Sequence, residues 1–142
     1  METAVPRSII VQVSGIFHFL LNEHGESKLK IKQSTNGDIV VLNLSGKIMG
    51  GPDHEKFMNE VKTLIAEGHV DVLLDLGGVS WVNSTGLGIL VSGFHTIKKN
   101  GGRLKICRVS DRIDNILNVT QLKLVFDTYA TVDEAVASYS EE

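Results

Sequence analysis

The chain has 142 residues, of which 42% are hydrophobic and 22% charged, and its formal net charge is -3. These values are typical of one soluble globular domain, and the small acidic surplus argues against general binding to nucleic acid or to anionic membranes. The single cysteine, Cys107, excludes an intrachain disulfide and a cysteine-based zinc cluster, which suits a protein of the reducing cytoplasm. We interpret Cys107 as a small core residue.

Residues 1–27 differ from the rest of the chain because residues 8–21 are almost continuously apolar. This run is too short for a membrane-spanning helix, which needs about 20 residues, and no clear cleavage site of a signal peptide follows it. Ser14-Gly15 could turn a β-hairpin between its two halves. We therefore expect a leader or accessory hairpin of unknown role over residues 1–27, and one domain over residues 28–142.

From residue 28 onward, apolar patterning predicts regular elements. Lysine alternates with apolar residues at 28–32, Asn36-Gly37-Asp38 has hairpin-turn chemistry, and residues 39–44 predict a second strand. A glycine-rich loop over residues 46–52 precedes a helix that ends at Gly68. Residues 70–76 are apolar on both faces, as expected of a central strand, and a tight loop should follow them.

The second half of the chain continues the alternation of helices and strands. Helices are predicted over residues 84–99 and 111–119, with a strand at 103–107 between them and a short strand at 124–126. Thr131 and Glu134 form a capping box that opens a final helix. The expected fold class is α/β, with a mixed, mainly parallel β-sheet, an initial hairpin and about four helices packed on the sheet.

One basic cluster lies between residues 98 and 112 and has no interleaved aromatic side chains. We interpret it as a solvated edge of the sheet and not as a surface for RNA. Its members are Lys98, Lys99, Arg103, Lys105, Arg108 and Arg112.

Three cap-forming residues, Asn83, Ser84 and Thr85, stand at the start of the second predicted helix. A hydroxyl group at that position is near solvent and at the positive end of the helix dipole, which favours a phosphate. Spacing alone leaves two interpretations of Ser84, an ordinary N-cap or a regulatory hydroxyl.

No catalytic constellation accompanies this serine. A nucleophile elbow needs G-x-S-x-G, but Val82 stands where the first glycine should be, and the only later histidine, His95, lies about three helical turns away. Gly86-Leu87-Gly88 lacks the third glycine of a dinucleotide fingerprint, and the five histidines have no metal-ligand spacing. We expect no catalytic residues, no metal site and no cofactor, and a protein that is not an enzyme.

Three segments of the chain carry a resemblance to a known family. Residues 72–88 read V-L-L-D-L-G-G-V-S-W-V-N-S-T-G-L-G, residues 101–107 read G-G-R-L-K-I-C, and residues 122–136 read L-K-L-V-F-D-T-Y-A-T-V-D-E-A-V. From Lys28 to its end the chain resembles a STAS domain, the fold of bacterial anti-sigma factor antagonists, whose motif is D-S-[ST]-G-[LI]-G. Asn83 replaces the motif's aspartate, and the loop over residues 46–52 lacks the acidic residue that often follows the second strand.

The resemblance implies a phosphorylation switch. The serine of the motif, here Ser84, is phosphorylated in the family by a partner anti-sigma factor that is itself an ATP-dependent serine kinase. The unphosphorylated antagonist binds that anti-sigma factor and releases a sigma factor, and a metal-dependent serine phosphatase resets the antagonist. Around Ser84 we expect a switch loop and partner-binding surface, with Met49, Trp81 and Leu87 as apolar surface contacts. The predicted residues of this switch loop and partner-binding surface are Met49, Trp81, Asn83, Ser84, Thr85, Gly86, Leu87 and Gly88.

A second function remains open, that of a non-switching STAS subunit which docks on the ATPase or permease of a membrane transporter, with Ser84 only as an N-cap. In either case we expect a monomer or weak dimer that binds no nucleic acid and does not insert into a membrane.

Overall fold

A five-stranded β-sheet organises the chain in the computed structural model, which describes residues 29–141. The spatial order of the strands follows the sequence: β1 (Lys30–Asn36), β2 (Ile39–Ile48), β3 (Asp71–Val82), β4 (Arg103–Cys107) and β5 (Thr128–Tyr129). β1 is antiparallel to β2, whereas every other neighbouring pair is parallel. The predicted mixed, mainly parallel sheet with an initial hairpin is confirmed.

The hairpin turns where the sequence predicted it. Asn36 pairs with Ile39, and Gly37 between them has φ +64°, a left-handed conformation that glycine adopts without strain. At the other end of the hairpin, Lys30 pairs with Ser45. The start of β1 therefore lies beside the C-terminal ends of the parallel strands.

Helices cover both faces of the sheet. They are α1 (Pro52–Ala66), α2 (Ser84–Lys99), α3 (Asp111–Val119) and α4 (Val132–Tyr139), with a 3-10 helix at Leu122–Leu124. The larger core cluster joins α1, α2 and α3 to one face, and a smaller cluster joins α4 to the other. α1 and α2 touch closely, because a Cβ at Gly93 of α2 would lie 2.5 Å from the Phe57 ring of α1.

Three predicted boundaries are wrong. β3 does not end at residue 76 but runs to Val82, because Gly77 and Gly78 lie within the strand, beside a register shift in its pairing with β2, and form no loop. β2 likewise runs to Ile48, which shortens the predicted loop to residues 49–51. Residues 124–126 form no strand; the last strand is β5, and Leu124 is 85% exposed.

The interpretation of the basic cluster as a solvated edge is wrong for Lys105 and incomplete for Arg103, which is partly buried. Lys105 is only 2% exposed, and its Nζ donates to the Ser138 hydroxyl at 2.9 Å while lying 4.7 Å from the centre of the Tyr139 ring. Arg103 forms a two-pronged ion pair with Asp71, at 3.0 and 2.8 Å. Both side chains alternate with Leu104 along β4 and so lie on the face that α4 covers.

Cys107 is fully buried, which confirms its interpretation as a core residue. Burial, together with the nearby charge of Asp75, raises the pKa of its thiol to about 12. The prediction for residues 1–27 falls outside the described residues and stays a prediction. Among residues 29–141, no helix has both the length and the apolar composition needed to cross a membrane.

Candidate functional site

The first turn of α2 is capped by Asn83. This residue has extended backbone angles, and its side-chain oxygen accepts a hydrogen bond from the Gly86 N–H at 2.7 Å. The Asn83 carbonyl oxygen also accepts from the Leu87 N–H at 2.9 Å. Asparagine therefore satisfies one of the orphan N–H groups of the helix start, and it needs no charge to do so.

Ser84 is the first residue of α2, and its side chain is exposed. Within residues 29–141 its hydroxyl takes part in no hydrogen bond, because the capping role belongs to Asn83. The interpretation of Ser84 as an ordinary N-cap is therefore wrong. The serine presents its hydroxyl to solvent at the positive end of the helix dipole.

The loop between β2 and α1 lies against this turn. The Asn83 N–H donates to the Ile48 carbonyl oxygen at 3.3 Å. Gly50 has φ +112°, and a Cβ there would lie 2.6 Å from the methyl carbon of Thr85. Residues 49–51 and the start of α2 are thus one continuous surface, with Met49 at 39% exposure beside it.

Asp53 holds this loop in place, a role that was not predicted from the sequence. Its carboxylate accepts from the Met49 N–H at 2.9 Å, and the residue is only 2% exposed. An acidic residue in the first turn of a helix is usually explained by the helix dipole. The position of Asp53 directly after Gly50-Gly51-Pro52 could have indicated its second role. There a tight loop enters a helix, and the backbone N–H groups of the loop need acceptors.

Two glycines of α2 have opposite surroundings. Gly86 is buried, and a Cβ there would overlap the carbonyl oxygen of Ile48. Gly88 is exposed, and nothing lies within 4 Å of the position of a Cβ there. Because Gly88 is four residues beyond Ser84, the two share one helix face. The helix face that carries the Ser84 hydroxyl is therefore exposed to solvent, and at Gly88 it has no side chain.

Of the three predicted apolar surface contacts, the structure supports two as accessible. Met49 is exposed and Trp81 is partly exposed, with the Arg112 guanidinium 5.5 Å from the centre of its ring. Leu87 is only 7% exposed and belongs to the larger core cluster, so its prediction as a surface residue is wrong. The apolar spacing of α2 places Leu87 on the core side of the helix. It was predicted to be exposed because it belongs to the same motif as Ser84.

Positive charge lies at the same edge of the sheet, beside the end of β4. The Arg108 Nε donates to Asp75 at 2.9 Å, and the Gly77 N–H donates to the same carboxylate oxygen. This hydrogen bond with Asp75 raises the pKa of Arg108, and the Arg108 side chain stays 52% exposed. Arg108 and Arg112 therefore place two exposed cations at this end of the sheet. For these two residues the interpretation as a solvated edge is confirmed.

The role of Asn83 gives a first prediction. We expect Asn83→Ala to lower the free energy of unfolding by about 1 kcal/mol, because the Gly86 N–H loses its acceptor. Asn83→Asp should keep the cap and gain about 0.3–1 kcal/mol from the helix dipole. Urea unfolding of the two variants beside the unaltered chain measures both effects. Equal stability of the alanine and aspartate variants would contradict the capping role.

Residues 30–135 match the family described as the STAS domain. The chain belongs to this family, and the resemblance identified from its motif is confirmed.

Its relatives include anti-sigma factor antagonists. The anti-sigma-B factor antagonist of Bacillus subtilis (strain 168) is 35% identical over 108 residues, which are 75% of this chain and 94% of that protein. The crystal structure of an anti-sigma factor antagonist from Mycobacterium paratuberculosis has a TM-score of 0.67 at 20% identity, over 78% of this chain and 92% of that one. A sulfate transporter family protein from Wolinella succinogenes has a TM-score of 0.65 at 18% identity, over 74% and 87% of the two chains. At these identities the two structures show the fold alone.

Proposed function

We propose that this chain is an anti-sigma factor antagonist whose binding is switched by phosphorylation of Ser84. The observation that carries the proposal is the exposed Ser84 hydroxyl. Because Asn83 caps the helix, the Ser84 hydroxyl has no capping role, and it lies on an exposed helix face. The 35% identity to an anti-sigma-B factor antagonist supports the same role. In its unphosphorylated form the chain binds an anti-sigma factor in the cytoplasm, and the bound sigma factor is released.

The anti-sigma partner is also the kinase in this proposal. The Ser84 oxygen attacks the γ-phosphorus of ATP, a new O–P bond forms, the bond to ADP breaks, and the hydroxyl proton passes to a base of the kinase. A serine phosphatase later transfers the phosphoryl group to water. The antagonist itself supplies only a well-placed acceptor, so we propose a binding module and not an enzyme.

A phosphate on Ser84 is well tolerated by the isolated domain. It adds a charge of about -1.5 to -2, and the N-terminus of α2 stabilises a nearby negative charge by about 0.3–1 kcal/mol. The side chain is already in solvent, so no packing needs to change. We therefore expect the phosphorylated and unphosphorylated folds to be alike.

The same phosphate is unfavourable in a complex. A partner that covers Ser84, Met49 and Trp81 would remove the phosphate from water or set it against acidic groups, at a cost of several kcal/mol. A loss of about 4 kcal/mol weakens binding about a thousandfold. Because the difference arises in the interface, the switch needs no change of shape.

The alternative, a non-switching subunit on a transporter, loses one of its premises because Ser84 is not the N-cap. The likeness to the Wolinella protein is one of fold and adds no support for that function.

Incubation with the cognate anti-sigma kinase tests the proposal. With ADP we expect a stable complex, and with ATP we expect one phosphate at Ser84, none at Thr85, and dissociation of the complex. Ser84→Ala should bind equally well and stay bound when ATP is present. An intact complex without phosphate after ATP is added, or a phosphate at Thr85, would count against the proposal.

A further inference from the structure

The sheet face that carries α4 changes character halfway along its strands. Where the parallel strands begin, α4 packs on Ile39, Val41 and Leu73. Further along β2 the same alternation continues with Asn43 and Ser45, which are polar and partly exposed. A sheet face that is apolar under a helix and polar beyond it has its second half in water. Within residues 29–141, this second half is therefore open to solvent.

Positive charge is concentrated on the open half of this face. Lys30 and Lys32 of β1 lie directly opposite the two polar residues of β2 and so share their face. Lys47 precedes Ile48, which belongs to the larger core, so the Lys47 side chain is directed to the open face. All three lysines are exposed, and neither β1 nor β2 contains a carboxylate.

Arg108 reaches the open half from the end of β4. Its partner Asp75 stands between Leu74 and Leu76, which both belong to the larger core, and so faces the open side. The bond from the Arg108 Nε to Asp75 holds the guanidinium over Gly77, where a Cβ would overlap it. The Arg108 backbone has φ +58°, which is unfavourable for a residue with a side chain. Within residues 29–141 its terminal NH₂ groups have no acceptor, so these donors are fixed in position and available to an anion.

We call Lys30, Lys32, Lys47 and Arg108 the basic face. Its charge is opposite to that of the whole chain, which has a formal net charge of -3. The carboxylate among these side chains, that of Asp75, is 5% exposed and already paired with Arg108. A surface of this kind attracts an acidic partner and repels a basic one. The basic face also adjoins the switch surface, because Lys47 pairs with Trp81.

We propose that the basic face binds an acidic surface of the anti-sigma factor, beside the contact at Ser84. The inference rests on the proposed function, because it names the chemistry of the partner of that same site. The exposed lysines speed association, and Arg108 anchors the complex because its two NH₂ groups can hold one carboxylate in a two-pronged contact. The acidic surface also accounts for the switch, since a phosphate on Ser84 would be set against like charges.

A pair of charge reversals with a matched control tests this assignment. Lys32→Glu with Lys47→Glu reverses two exposed charges of the basic face, whereas Lys62→Glu with Lys99→Glu reverses two exposed charges on α1 and α2, which cover the opposite face. Both variants have the same net charge. With the cognate anti-sigma kinase and ADP at about 50 mM salt, we expect the first variant to bind about thirtyfold more weakly, chiefly through slower association, and the control to stay within about twofold of the unaltered chain.

Salt and the anchor residue provide two further measurements on the same complex. At about 1 M salt, where the Debye length is about 3 Å, the difference between the two charge-reversal variants should fall below about threefold. Arg108→Lys keeps a cation beside Asp75 but loses the two-pronged donor, so the complex should dissociate about fivefold faster.

Equal affinities of the two charge-reversal variants at low salt would overturn the proposal and leave phosphorylation of Ser84 untouched. The same holds if the affinity of the unaltered chain does not fall as salt is added. Unchanged affinity for the kinase, together with loss of tRNA or phosphatidylglycerol-vesicle binding in the Lys32→Glu, Lys47→Glu variant, would assign the basic face to a polyanion instead. A chain that forms no complex with the kinase at all would contradict the proposed function together with this inference.

Discussion

Ser84→Asp should weaken binding to the anti-sigma factor by about a thousandfold, which corresponds to a loss of about 4 kcal/mol. The exposed Ser84 side chain lies on the face that also carries Gly88, so a carboxylate there would be covered by the docked partner. The free energy of unfolding should stay the same or rise by about 0.3–1 kcal/mol, because the charge is at a helix N-terminus. Titration calorimetry and urea unfolding measure the two quantities.

Thr131→Asp is the matched control for this variant. Thr131 is the exposed N-cap of α4, which packs on the opposite face of the sheet, and aspartate is an equally good cap. The control adds the same charge at a helix N-terminus and should leave binding unchanged. Similar affinities for the Ser84→Asp and Thr131→Asp variants would show that Ser84 is outside the interface.

Gly86→Ala should destabilise the domain by about 3 kcal/mol, at the upper end of the effects of overpacking. The new methyl group would overlap the backbone carbonyl of Ile48, which cannot rotate away as a side chain could. That carbonyl also accepts from the Asn83 N–H, so the shift would separate the β2–α1 loop from the start of α2. Urea unfolding should show a lower midpoint with an unchanged slope.

Gly88→Ala provides the comparison, since it makes the same chemical change two residues later. Its methyl group would meet open space in an exposed helix interior, so the domain should gain up to about 1 kcal/mol. If the two alanine variants have equal stability, Gly86 does not make the close contact on which the site's geometry depends. A Gly88→Ala variant that is stable but binds the anti-sigma factor poorly would place Gly88 in the interface.

Much of the fold could be predicted because the deciding signals are local. The helices Ser84–Lys99 and Asp111–Val119 and the strand Arg103–Cys107 have the predicted bounds, since caps, glycine stops and apolar periodicity all agree there. The family motif in turn located the candidate site at the start of the second of the four α-helices. Asn83, Ser84 and Thr85 do meet the β2–α1 loop at that start.

The errors arose where tertiary contacts decide the outcome. Gly77 and Gly78 have the composition of a loop, yet pairing with β2 keeps them in β3. Lys105 has the charge of a surface residue, yet α4 covers it and Ser138 accepts its hydrogen bond. Leu87 adjoins exposed motif residues, yet the helical period turns it into the core. The contacts of Gly77, Gly78 and Lys105 join segments far apart in the sequence, whereas the helical period that buries Leu87 is a local signal that the motif outweighed.

Mass spectrometry of the protein isolated from its native cells, intact and after proteolysis, with and without phosphatase treatment, tests the central idea most directly. The exposed, non-capping serine at the start of α2 predicts a fraction that carries one phosphate, removable by the phosphatase and located at Ser84. A chain that is unmodified under every growth condition, or modified at another residue while Ser84 stays free, would contradict the phosphorylation switch.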